Sequence, residues 1–252
     1  MSEGTVSGIR CCIFDKDGTL VQTGSLFDEW FMSLSRKIIM HMNWTEDTVA
    51  QELYYRKMGW NMNAHGFLFD SIVARGTYPQ IKAALLQFML TEQINVENKT
   101  EDTIEKEIES NMWVHPTLDT SDLHPCGDID KLFDFLAAKN IKIAICTSDD
   151  RHLTQQCIEF LNLTNKVHTM VCADDEGVQS KPSGEPIEKI CKELNILPQD
   201  CIMIGDSSGD MQAGRAAKCK MVIGVLSSGA TKTDFDADMV IPNIDSLIDI
   251  IV

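Results

Sequence analysis

The chain has 252 residues, 44% of them hydrophobic and 24% charged, which is enough apolar material for one large domain or for a core domain carrying a smaller insert. A formal net charge of −16 argues against a nucleic-acid or anionic-membrane surface, because phosphate groups would be repelled, and reads as a solubilising shell. Residues 1–10 lack the basic-then-apolar pattern of a secretory signal, and every apolar run is broken well short of the roughly 18 residues a membrane helix needs. A cytoplasmic protein with no nucleic-acid and no membrane partner is expected.

In chain order, residues 9–14 are apolar and β-prone, and the run stops abruptly at Asp15, as a buried parallel strand ending at a site would. Gly18 marks a turn. Between residues 26 and 42, Leu26, Phe27, Trp30, Phe31, Leu34, Ile38, Ile39 and Met42 recur at spacings of three and four, predicting an amphipathic helix. Residues 46–58, 64–75, 78–92 and 101–113 carry similar patterns, and nothing in 24–115 reads as strand-rich. From Pro125 onward the texture alternates. Helices are predicted to about residue 139 and at 151–161, 185–194 and 209–217, with strands at 141–146, 169–172, 201–204 and 221–225. Such alternation predicts an α/β fold: a doubly wound, Rossmann-like parallel sheet covered on both faces, interrupted after its first strand by an all-helical insert. The expected domains are 1–22 with 117–252 for the core and 23–116 for the insert. Nine cysteines without Cys-x-x-Cys spacing read as reduced, mostly buried small hydrophobes.

In an open parallel sheet, ligands bind at the carboxyl ends of strands. The polar residues that close each apolar run are therefore the candidates: Asp15 and Asp17, then Thr147 and Ser148, then Lys181 after the third, then Asp206 with Asp210. Several carboxylates converging from two strand ends make the hard, all-oxygen setting magnesium prefers, and a hydroxyl with a lysine suits a phosphate. Asp15 and Asp17 would point the same way in an extended strand, although a turn at Lys16 would change that.

Asp15-Lys16-Asp17-Gly18-Thr19, Thr147, Lys181-Pro182 and Gly205-Asp206-Ser207-Ser208-Gly209-Asp210, in this order, resemble the four motifs of the haloacid dehalogenase superfamily. The resemblance covers residues 9–23 and about 123–245, and from Gly205 to Val225 is nearest to phosphoglycolate phosphatase-like members. It implies that Asp15 is a nucleophile forming an aspartyl-phosphate and that Asp17 protonates the leaving oxygen and later activates water. It also implies that Mg2+ is held by Asp15, the Asp17 carbonyl and Asp206, that Thr147, Ser148 and Lys181 grip the phosphoryl group, and that Asp210 orients Lys181 or a metal-bound water. Members that cleave carbon–halogen or phosphonate bonds lack an acid two residues after the nucleophile, so Asp17 favours phosphate esters.

The second motif departs from the usual Thr-Asn, with Ser148, Asp149 and Asp150 following Thr147, and Lys218 stands where relatives often carry glycine. The inserted helices resemble the superfamily's mobile cap, which implies a small phosphorylated metabolite as partner. Arg36, Arg56, Lys57, His65 and Arg75 are its candidates for an anionic substrate tail, with Arg75 ranked first for its loop-like break at Arg75-Gly76-Thr77. Three readings fit: a magnesium-dependent phosphatase acting on a small phosphomonoester, with phosphoglycolate the first guess; a phosphomutase; or a silent binding protein. Any of them is expected as a monomer or small homo-oligomer.

Overall fold

The structure is a computed structural model. It describes every residue except 1–4, 23, 64–65, 69–70, 93, 95, 97, 119–122 and 227–230, and omits the side chains of 24–26 and 234. It divides into two compact units, Met1–Thr23 with Leu118–Val252, and Gly24–Thr117.

The first unit is a six-stranded sheet. Its strands are β1 (Cys11–Phe14), β4 (Lys142–Cys146), β5 (Thr169–Val171), β6 (Cys201–Gly205), β7 (Met221–Val225) and β8 (Met239–Ile241). The order is β5-β4-β1-β6-β7-β8 and every pairing is parallel. The chain thus winds outward from β1 on one side, then returns to β1's other flank with β6. Helices α6 (Ile129–Ala138), α7 (Arg151–Phe160), α8 (Glu185–Leu194) and α9 (Ser208–Ala216) make the crossovers. Because helices cover both faces, the central strands are apolar without alternation: every residue of β1 and β6 is buried. Phe14 meets Phe133 of α6 with ring centroids 5.4 Å apart, inside a core that continues through Leu132, Leu136, Ile145 and Ile204.

β8 was not expected from the sequence. It is three residues long and sits at the sheet's edge, beyond Asp236 and Asp238, where no long apolar run announces it. After α9 the chain passes through Lys218 at φ +62°, a left-handed position where lysine costs about 1 kcal/mol relative to glycine. The inserted stretch leaves and re-enters this unit side by side. Val21 bridges Pro125, Gln22 N donates to His124 O at 2.8 Å, and Cys126 N donates to Leu20 O at 2.9 Å.

The second unit contains α1 (Gly24–His41), α2 (Thr48–Met58), α3 (Ile72–Arg75), α4 (Tyr78–Thr91) and α5 (Glu101–Glu107), the last running into a wider turn, Ile108–Met112. Phe31, Leu34, Ile38, Tyr54, Met58, Ile81, Leu85 and Phe88 are its fully buried centre. It is not all-helical as expected. Trp60–Asn61 (β2) and Gly66–Phe67 (β3) pair as an antiparallel ribbon, so the helix read over 64–75 is reduced to α3. The cause is local. Gly59 ends α2 at φ +80°, donating to the Arg56 and Tyr55 carbonyls, and the chain reverses. Trp60 and Phe67 then face each other across the ribbon, centroids 5.0 Å apart, and both pack on Phe31. Among the described residues, no helix is long and apolar enough to cross a membrane. All nine cysteines are free, and seven are buried.

Candidate active site

Three neighbouring strands deliver the site. Beyond β1, Asp15 N donates to Ile204 O at 2.8 Å, extending the ladder by one residue and presenting its side chain at the sheet's carboxyl edge. Beyond β4, Thr147 N does the same with Val171 O at 3.0 Å, and beyond β6 comes Asp206. Asp15, Thr147, Lys181 and Asp210 are buried, while Ser148 and Asp206 are half-buried.

Lys181 precedes α8, at a cis Lys181–Pro182 bond. Its Nζ donates to Asp15 Oδ1 at 2.8 Å and to Asp210 Oδ1 at 2.6 Å. Asp210's other oxygen accepts from Ser207 N at 3.0 Å and Ser207 Oγ at 2.7 Å, a capping box that opens α9. That box is legible in retrospect as Ser207-x-x-Asp210. One carboxylate oxygen each from Asp15, Asp206 and Asp210 lies within 4.8 Å of the others. Gly18 makes room for this approach: at φ +76° it has no Cβ, and one built there would stand 1.9 Å from Asp206 Oδ2.

Asp17 leaves the strand direction but stays within electrostatic reach of Asp15. Lys16 O accepts from Leu20 N and Val21 N at 2.9 and 3.1 Å, so the chain turns back at once, and Asp15 and Asp17 do not share a strand face. The Asp17 carboxylate, 38% exposed, accepts from Lys16 Nζ at 2.6 Å. Lys16 is itself buried and also reaches Asp149 Oδ2 at 2.9 Å. Lys16 was not a candidate from the sequence, and Asp149 stood out only as part of the departure after Thr147. The available signal was a lysine between two acids at a strand end, matched by extra acids after Thr147.

Electrostatically the edge is short of positive charge. Burial, followed by the Asp210 carboxylate, pushes Asp15 up to about 7, against the pull of Lys181. Asp17 is raised as well, by burial first, with Lys16 opposing and Asp149 adding. Lys181 stays well above its ordinary value, because Asp15 and Asp210 outweigh the cost of burying it. Buried and half-buried carboxylates gathered beside Lys181 and Lys16, all donors being oxygen, fit a hard divalent cation such as Mg2+.

Of the remaining sequence candidates, Arg36, Arg56, Lys57 and Arg75 are exposed residues of the helical unit. Arg36 Nε donates to Met32 O at 3.2 Å, and Arg75 is the last residue of α3 rather than part of a loop. His65 lies outside the described residues.

A parallel sheet whose carboxyl edge gathers a buried aspartate, a bridging lysine and further acids marks a candidate active site on an α/β fold. The family follows from comparison: residues 9–218 match the model for haloacid dehalogenase-like hydrolases, and the chain belongs to that family. Among named relatives, it is 25% identical to the pyrophosphatase PpaX of Anoxybacillus flavithermus, over 84% of this chain and 81% of that one. It is 30% identical to the phosphoglycolate phosphatase of Chromobacterium violaceum, over 46% of this chain and 51% of that one. The match thus spans about half the length of some curated relatives. A HAD phosphatase structure from Thermococcus onnurineus superposes with TM-score 0.63 at 16% identity, covering 96% of this chain and 97% of that one. A beta-phosphoglucomutase from Clostridium difficile superposes with TM-score 0.57 at 18% identity, covering 96% and 97%. At these identities the two structures speak for the fold alone.

Proposed function

We propose that this chain is a magnesium-dependent phosphatase that hydrolyses a small phosphomonoester through an aspartyl-phosphate on Asp15. The observation that carries the reading is the buried Asp15 carboxylate, held through Oδ1 by Lys181 and grouped with Asp206 and Asp210. With Oδ1 engaged, Oδ2 is the oxygen that attacks. Its bond to phosphorus forms as the ester P–O bond breaks, and Asp17 gives its proton to the departing oxygen. Asp17's raised pKa favours the protonated form this step needs. In the second step Asp17 takes a proton from water as the water oxygen attacks phosphorus, releasing phosphate and restoring the Asp15 carboxylate. Lys181, Thr147 and Ser148 hold the phosphoryl oxygens, and Asp210 keeps Lys181 in place. Asp15, Asp206 and the Asp17 carbonyl would hold Mg2+, which when bound would supply positive charge to offset the repulsion between carboxylate and phosphate.

Relatives named for pyrophosphate and for phosphoglycolate support a compact, strongly anionic substrate, and these two compounds are the first to assay. The free thiols support a reducing, cytoplasmic setting. The test is Asp15→Asn, assayed with Mg2+ on para-nitrophenyl phosphate. Turnover should vanish while the far-UV circular dichroism is unchanged, and near-normal turnover refutes the mechanism.

A further inference from the structure

We infer that Lys16 and Asp149 are positioning residues that aim the Asp17 carboxylate for proton transfer, an inference that rests on the phosphatase reading above. A lysine adjoining the nucleophile would be expected in solvent. Lys16 is instead buried, its side chain 5% exposed, with Nζ at 2.6 Å from Asp17 Oδ1 and 2.9 Å from Asp149 Oδ2. Burying a charge is costly, and an apolar residue of the same volume would avoid that cost, so a buried ion pair is weak support for a purely stabilising role. What the pair does accomplish is geometric.

Asp149 is pinned at the end of β4. Its N–H donates to Thr147 Oγ1 at 3.1 Å, and its Oδ1 accepts from Asp150 N at 2.8 Å, leaving Oδ2 for Lys16. Lys16 is pinned from its own side, its carbonyl closing the turn with Leu20 N and Val21 N. A chain of contacts therefore runs from the β4 end through Asp149 and Lys16 to one oxygen of Asp17. Asp17 Oδ2 is left to carry and deliver the proton, on a side chain 38% exposed and so able to meet a substrate. Without this brace, Asp17 sits on a turn with more rotamers open to it, and its proton is less often held where a leaving oxygen would need it.

A positioning role for a general acid predicts a defect graded by leaving group, which a merely structural role would not produce. kcat/KM is measured with Mg2+ for the wild-type chain, Lys16→Met, Asp149→Asn and the double variant, on para-nitrophenyl phosphate and on phenyl phosphate. Nitrophenolate departs with little protonation, whereas phenolate, whose conjugate acid has a pKa of about 10, leans on the acid. General acids contribute about 10²–10⁴-fold, so each single variant should lose roughly tenfold more on phenyl phosphate than on the nitrophenyl ester. The double variant should be no worse than Lys16→Met, since both act through one chain of contacts. Equal losses on the two esters, or losses that multiply in the double variant, overturn the inference. Lys16→Met leaves two carboxylates without their cation. If circular dichroism shows it unfolded, Asp149→Asn decides alone: a lowered phenyl-to-nitrophenyl ratio supports the inference and an unchanged ratio overturns it. A wild-type chain inert on both esters instead refutes the phosphatase reading, and the inference falls with it.

Discussion

Replacing Lys181 with methionine keeps the side chain's length and removes the charge that joins Asp15 to Asp210 at 2.8 and 2.6 Å. Even with the lysine present, burial and Asp210 hold Asp15 at about 7 against an ordinary 3.8, a difference that costs its charged form about 4 kcal/mol. Removing one partner of a buried ionic cluster costs about 3–5 kcal/mol, and protonation relieves part of it. Asp15's folded pKa lies above its unfolded one. Its contribution is therefore fully present at low pH and is lost as pH rises through the folded value, which methionine moves higher still. The variant should then stand about 1–2 kcal/mol below wild type near pH 5, and the gap should widen by about 1.4 kcal/mol by about pH 8, one pH unit above the value of about 7 at which the wild-type Asp15 ionises. Urea unfolding in chelator, at both pH values, measures this. Far-UV circular dichroism is the right probe, because the four tryptophans, Trp30, Trp44, Trp60 and Trp113, all belong to the helical unit. A loss that is the same at both pH values, or below about 1 kcal/mol at the higher one, refutes the account of how Asp15 and Asp210 are held.

Gly18→Ala places a Cβ 1.9 Å from Asp206 Oδ2 at φ +76°; it should lower stability by about 1 kcal/mol or more and weaken Mg2+ binding in calorimetry, and an unchanged affinity would remove Asp206 from the metal site. Asp175 takes Arg151 Nε and Nη2 at 2.8 and 2.7 Å. Burial tends to raise its pKa, but the bonds from Arg151, Cys172 N and Lys189 prevail and lower it. Its contribution is thus present above about pH 4 and lost as pH falls through the lowered value. Asp175→Asn should destabilise the chain at neutral pH, and a gap to wild type that fails to close in acid unfolding curves would contradict this. In the helical unit, Tyr54 Oη and Ser35 Oγ pair at 3.1 Å, both buried. Tyr54→Phe should cost about 1–2 kcal/mol by tryptophan fluorescence, and no change would mean that the two hydroxyls do not depend on each other.

The sheet was legible because burial on both faces leaves a plain mark: unbroken apolar runs that halt at a polar residue, as at Phe14-Asp15 and Gly205-Asp206. Asp15, Thr147, Lys181, Asp206 and Asp210 could be collected from those endings. The ribbon at Trp60 and Phe67 was hidden, since Phe67, Leu68, Ile72 and Val73 suit a helical stripe equally well and only Gly59 signals the reversal. Lys16 was hidden for another reason. A lysine is ordinarily solvated, and its burial depends on Asp149, which is remote in sequence and meets it only when β1 and β4 pair. Asp17 was legible as an acid but not in its direction, because the turn closing on Lys16 O separates it from Asp15.

The neck at Leu20–Gln22 and His124–Cys126, where the inserted stretch departs and returns, has a bearing on how such a chain can change over time. Its two threads are already stitched together by backbone hydrogen bonds and the Val21–Pro125 bridge. The excursion is therefore a loop whose ends are already closed, and doubling the length of such a loop costs about 0.6 kcal/mol. Lengthening, trimming or exchanging the excursion leaves β1 in its central place, so the part of the chain that houses Asp15 and the part that hangs from it are free to diversify at different rates.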